Sequence, residues 1–190
     1  MKRITLIAIA LLIVVPGYLF SQNFAVDKGS INLGGAIGLT IQGGDLYEQG
    51  TGDKVTVISV NPSLLYFVMP NLAVGAELLY SSTSQGDAKE TAMGIGPKVA
   101  YFVGNENSKA YPYLGFAFGY GTWKQEGGME FEGTMMRLTP VAGAVFMVSK
   151  NVGINIEAFY QMDSSKLKDA DESTKGNQMG VRIGVAGFIY

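Results

Sequence analysis

Asn177–Tyr190, NQMGVRIGVAGFIY, alternates with a period of two. Successive side chains of an extended strand point to opposite faces, so Met179, Val181, Ile183, Val185 and Ile189 share one face while Gln178 and Arg182 share the other. One face asks for an apolar medium. The other asks for an interior in which an arginine finds partners. A strand that needs both belongs in a membrane-spanning barrel, lipid-facing outside and polar within.

Upstream the pattern recurs over Ser30–Ile41, Val55–Met69, Leu72–Ser81, Thr91–Val103, Tyr111–Trp123, Thr134–Val148 and Val152–Met162. Tyr111–Trp123 alternates most cleanly, with Leu114, Phe116, Phe118 and Tyr120 against Gly115, Ala117, Gly119 and Gly121. The connections differ in length. Pro70-Asn71, Gly104–Lys109 and Ser149–Asn151 are short, whereas Gly43–Lys54, Ser82–Glu90, Lys124–Gly133 and Asp163–Gly176 are long. An even number of strands near ten residues each predicts an all-β fold, an eight-stranded antiparallel up-and-down transmembrane β-barrel. Short turns belong on the periplasmic side and long loops outside, which places both chain ends at the periplasm. A soluble eight-stranded barrel carries the opposite polarity. Here the outward residues are Leu, Ile, Val, Phe and Tyr, and in water such an exterior would aggregate. The inward ones are Gly, Ala, Ser, Asn and charges.

At the other end, Met1–Gln22 reads as a secretory signal peptide. Lys2 and Arg3 precede the apolar run Ile4–Val15, which Pro16 and Gly17 break. That run falls short of the roughly 20 residues a spanning helix needs. Cleavage after Ser21 divides the chain into a signal peptide, 1–21, and a barrel domain, 22–190. The chain of 190 residues carries a formal net charge of −2, so no basic field for nucleic acid exists. It has no cysteine and no histidine, which excludes disulfides and thiol chemistry and removes the commonest general base and transition-metal ligand. Ser63, Ser81 and Ser82 therefore have no obvious base, and no catalytic residue, cofactor or metal site is expected. Glu130, Glu132, Asp169, Asp171 and Glu172 read as solvated loop surface, with weak divalent-cation or lipopolysaccharide bridging as the alternative.

The chemistry-bearing set is an interior charge network of Glu77, Lys98, Arg137, Glu157 and Arg182. FVMPNLAVGAELLY (Phe67–Tyr80) matches MVSKNVGINIEAFY (Met147–Tyr160) at an offset of 80 residues, which aligns Glu77 with Glu157. Four strands separate the two, so the glutamates are expected at one depth on opposite walls. Antiparallel pairing brings Glu77 near Lys98 and Glu157 near Arg182. Pro62, Pro97 and Pro140 fall inside strands with outward parity, and each is expected to mark a bulge or an irregularity. Tyr66, Tyr80, Tyr101, Tyr120 and Tyr160 are candidates for interfacial girdles. Trp123 points inward by parity, and only a bulge or the loop start would turn it toward lipid.

The leader ending FSQ, the alternating strands, the hairpin YFVMPNLAVGAELLY (Tyr66–Tyr80) and the closing GFIY resemble the small outer-membrane β-barrels of Gram-negative bacteria. These are the OmpX-like and OmpA-transmembrane-like group, also termed the outer membrane protein β-barrel domain or porin family, in versions from Bacteroidetes-type organisms. The resemblance implies location in the bacterial outer membrane, contact with outer-membrane lipids, and an interior Glu/Arg/Lys network of the OmpA kind. It implies insertion by the outer-membrane assembly machinery through a C-terminal signal, here Phe188 and Tyr190. No peptidoglycan-binding domain is expected after the barrel. The signal would face Phe188 and Tyr190 to lipid, whereas parity from Arg182 faces them inward; a bulge near Gly184–Gly187 would reconcile the two, and without one the charge decides. Three roles follow. The first is a monomeric barrel with a structural or surface-interaction role, its lumen plugged, engaging any extracellular ligand through its loops. The second is a narrow passive channel for small solutes. The third is a membrane enzyme.

Overall fold

The computed structural model describes residues 24–43, 55–85, 88–127, 131–168, 170 and 172–190. The expected signal peptide, its expected cleavage site and most of the Gly43–Lys54 loop lie outside the described residues. The strands are β1 Ile31–Gly43, β2 Val55–Val60, β3 Ser63–Met69, β4 Leu72–Gln85, β5 Ala88–Phe102, β6 Ala110–Glu126, β7 Phe131–Met147, β8 Val152–Leu167 and β9 Ser173–Ile189. β2 and β3 are two halves of one barrel strand, both lying between β1 and β4. Each strand pairs antiparallel with the next, and β9 returns to β1 from Ile31↔Ile189 to Gly43↔Asn177. The result is the expected closed eight-stranded barrel, which leaves no free sheet edge.

The prolines break the ladder without shifting it. At Pro62 the pairing with β4 stops at Val60↔Tyr80 and resumes at Ser63↔Glu77 in the same register. Pro97 stays in the β4 ladder opposite Ala76, while its pairing with β6 skips from Ile95↔Tyr120 to Lys98↔Ala117. Pro140 stays opposite Phe116, and its pairing with β8 skips from Leu138↔Met162 to Val141↔Phe159. A strand residue turns its N–H and C=O toward the same neighbour, so each proline loses one donor toward one neighbour only. The prolines are thus irregularities rather than bulges. A register shift does occur between Phe67 and Met69, beside the Pro70-Asn71 turn, where Asn71 takes a positive φ of 70°.

Several strands run beyond their predicted ends. Ser82–Gln85, Lys124–Glu126, Asp163–Leu167 and Ser173–Gly176 are strand, not loop. Alternation there is polar on both faces, so a hydropathy reading stops where the barrel leaves the apolar layer and the hydrogen-bonded ladder does not.

The exterior is an apolar belt: Leu33, Ile37, Leu78, Ile95, Leu114, Ile183 and Val185 are all exposed. Tyr66 and Tyr101 flank the belt toward the chain termini, and Tyr80, Tyr120 and Tyr160 lie further along their strands; all five are exposed on the outside. The terminal end of the lumen is filled by aromatic and small apolar side chains. The rings of Phe67 and Phe102 meet at a tilt with centroids 5.3 Å apart, those of Phe102 and Tyr113 at 4.9 Å, and those of Tyr111 and Phe188 at 6.4 Å. Asn23–Gly29 reads in the sequence as a short polar segment, yet residues 24–30 close this end. Val26 and Ala25 are buried in the same cluster, and the segment is tied down by Gly29 N–H to Phe67 O and Asn71 N–H to Val26 O, both 2.8 Å.

Candidate functional site

Four of the five predicted charges meet above the aromatic layer. Lys98 on β5 donates to Glu77 on β4 at 2.5 Å and lies 3.7 Å from Glu157 on β8. Arg182 on β9 sits 3.7 Å from both Glu77 and Glu157. Each cation therefore touches both carboxylates, one along its own wall and one across the lumen, and the two glutamates stand at one depth as the repeat suggests. Within the sheet, Glu157 lies directly opposite Arg182, and Lys98 lies opposite Gly75, diagonal to Glu77. All four side chains are buried, with Glu157 only 1% exposed. The Tyr113 hydroxyl, rising from the aromatic layer, donates to Glu157 at 2.7 Å. The Arg182 guanidinium also lies 4.1 Å from the Phe159 ring, a cation–π contact. Two buried positive and two buried negative charges in mutual contact make a neutral quartet, the only form in which such charges are tolerable in a narrow interior.

Arg137 does not join the quartet. It pairs with Asp163 on β8, donating through Nε at 2.8 Å, and Gln161 donates to the same carboxylate at 2.7 Å. Sequence reading placed Asp163 at the head of a loop. Parity from Glu157 through Phe159 and Gln161 puts it inward, and extending that count past Met162 is the signal that would have found it. Of the loop carboxylates, Glu132 faces outward and pairs with Lys168, Glu172 is exposed, and Glu130, Asp169 and Asp171 lie outside the described residues.

β9 has no bulge. It pairs with β1 and β8 in single, unbroken registers through Gly184–Gly187. Arg182 is 3% exposed, so Phe188, on the same parity and 3% exposed, faces the lumen and not lipid. Tyr190 lies past the strand end, where its hydroxyl donates to Lys150 O at 2.7 Å. The C-terminal signature thus loses its lipid-facing geometry at Phe188, because turning Phe188 outward would take Arg182 with it.

Above the quartet, toward the hairpin loops, the lumen opens into a cavity of about 340 Å³. Arg182, Phe159 and Asn61 contribute to its lining, as do Trp123, Glu90 and the Arg137–Asp163 pair. Trp123 lines it from inside, as strict parity requires, and not from a girdle. Between the quartet and the aromatic layer a second void of about 30 Å³ remains, room for one or two waters. Among the described residues no group of three or more acidic side chains is placed to hold a metal ion.

No protein-family model matches the chain, and no curated protein matches it by sequence. Solved structures do resemble it. Neisserial surface protein A (NspA) is 18% identical with a TM-score of 0.59, covering 84% of this chain and 97% of its own. The N-terminal β-barrel domain of Pseudomonas aeruginosa OprF is 12% identical with a TM-score of 0.55, covering 85% and 98%. Ail, the attachment invasion locus protein of Yersinia pestis, is 15% identical with a TM-score of 0.54, covering 85% and 99%. The fold is that of the small outer-membrane β-barrels.

Proposed function

We propose that the chain is an integral outer-membrane β-barrel with a structural or surface-interaction role, its lumen plugged rather than conducting. The observation that carries this reading is the stack of two filled layers at the terminal end: the neutral quartet, and beneath it an apolar layer in which Phe67 and Val26 are completely buried. An ion crossing the first would have to separate buried pairs, and an ion crossing the second would lose its water with nothing to replace it. The terminal end then faces the periplasm, and cleavage after Ser21 would leave Gln22 and Asn23 ahead of the closing segment. Lipid covers the apolar belt. Self-closure of the sheet suits a monomer, because no edge is offered to a second copy. Phe188 and Tyr190 are retained as the signal for the assembly machinery, read on the strand before it folds, when Phe188 has not yet turned inward. The absence of histidine speaks against an enzymatic role.

The second reading is a narrow channel for small solutes, favoured by the void of about 30 Å³ that lies against both layers. Planar-bilayer recording separates the two. Membranes carrying the wild-type barrel are expected to stay electrically silent. Discrete openings whose size changes in Glu77→Gln or Arg182→Gln would establish the channel and sink the plug.

A further inference from the structure

The cavity above the quartet is closed below by that quartet and opens toward the loops. Glu90, Arg137, Asp163, Glu172 and Arg182 are the acidic and basic side chains that line it. Arg137 and Asp163 cancel as an ion pair, and Arg182 is neutralised within the quartet. Glu90 is left, half-buried on the β5 wall, where Arg137 and Asp163 act on it through space with opposite sign, and Glu172 adds a second negative charge to the lining. Among the described lining residues the cup therefore carries an excess of negative charge beside a wall that is partly aromatic.

That wall begins next to Glu90. Trp123 on β6 pairs with Ala92, and Glu90 pairs with Gln125, so the carboxylate and the indole are diagonal neighbours on the inward face. Gly133 makes room for the ring, since a Cβ there would meet its Nε1 at 2.7 Å. The indole N–H is buried and has no hydrogen-bond partner among the described residues. Phe131 and Met135 continue the apolar side of the lining. A carboxylate that Arg137 answers only in part, since Arg137 is already paired with Asp163, beside an indole complements a compact positive charge with an apolar surface. An anion would have to displace Asp163 from Arg137. A neutral polyol would leave the charge on Glu90 only partly answered.

We propose that this cup binds a small organic cation, an alkylammonium compound, with Glu90 as its counter-charge and Trp123 as its aromatic wall. The site lies above the layers that decide conduction, so binding and conductance are read separately. Trp123 is the single tryptophan of the chain and reports directly on the cup. The experiment titrates the refolded barrel, in an uncharged polyoxyethylene detergent, with choline, with its neutral isostere 3,3-dimethylbutan-1-ol, with glucose and with succinate, following tryptophan fluorescence. Choline is expected to give a saturable change and the other three none at the same concentrations. Glu90→Gln is expected to weaken choline binding about tenfold or more, while Glu90→Asp keeps it within a few-fold and Glu132→Gln, on the outer face, leaves it unchanged. Unboiled samples of every variant must keep their shifted gel mobility, which separates lost binding from lost fold. No saturable response to choline, equal binding of the neutral isostere, or wild-type affinity in a folded Glu90→Gln barrel would overturn the proposal.

Discussion

Glu157→Gln is expected to destabilise the folded barrel by about 3–5 kcal/mol, the cost of leaving a buried charge without its partner. Glu157 is 1% exposed and touches both cations of the quartet as well as the Tyr113 hydroxyl. Neutralising it leaves Lys98 and Arg182 sharing Glu77 alone, a net positive charge buried in the lumen. The loss should be recovered by removing that excess. In Glu157→Gln with Arg182→Met the remaining Lys98–Glu77 pair at 2.5 Å is neutral, and stability is expected to return to within about 2 kcal/mol of wild type. Guanidinium unfolding of the barrel in lipid vesicles, followed by fluorescence of Trp123, measures both. If the two substitutions simply add, the four side chains are not a coupled unit, and the plug loses its energetic basis. Glu132→Gln, which breaks the exposed pair with Lys168, should leave the transition where it is.

The quartet was legible in part. Parity gave the inward direction of Glu77, Lys98, Glu157 and Arg182, and hairpin pairing gave their neighbours along the wall. The cross-lumen contacts, Lys98 to Glu157 and Arg182 to Glu77, were not in the sequence, because they depend on how far the closed barrel brings opposite walls together. Arg137 was correctly sent inward and wrongly grouped, since its partner Asp163 sits where the outward residues have already turned polar and the strand no longer looks like one. The aromatic layer was missed for a different reason. Counting inward positions by polarity discounts Phe67, Phe102, Tyr111 and Tyr113, yet a capped end shields the lumen from solvent and apolar side chains suit it; Phe188 alone of this layer was sent inward, by parity from Arg182. Phe24–Ser30 lacks any alternation that would announce it as a closure. The outward face, by contrast, was legible almost residue by residue, because one apolar requirement holds along the whole belt.

Gly184→Ala is expected to prevent the barrel from closing normally, whereas Gly187→Ala, three residues along the same strand, is expected to be tolerated. Both glycines lie on β9 against β1, and neither has a positive φ. The difference is how closely β1 approaches. A Cβ at Gly184 would meet the carbonyl oxygen of Gly35 at 1.9 Å and the Ala36 Cα at 2.8 Å, backbone atoms that cannot move without parting the seam. At Gly187 the nearest atom is the Leu33 carbonyl oxygen at 3.7 Å, an ordinary contact. The first substitution forces the last pairing to form at a wider spacing, with the loss of hydrogen bonds on either side, and about 3 kcal/mol or more is a modest expectation for backbone overpacking. The second trades glycine for alanine where the conformation already suits it, a change within about 1 kcal/mol of either sign. The readout is the fraction of refolded protein with shifted mobility in unboiled gels, together with the guanidinium midpoint of what folds. The β1–β9 seam joins the two ends of the chain and is the last a sequential hairpin assembly could form, so closure should fail there while the hairpins before it are intact. Equal behaviour of the two alanine variants would show that the seam relaxes freely around residue 184, and that this close approach of strands plays no part in holding the barrel shut.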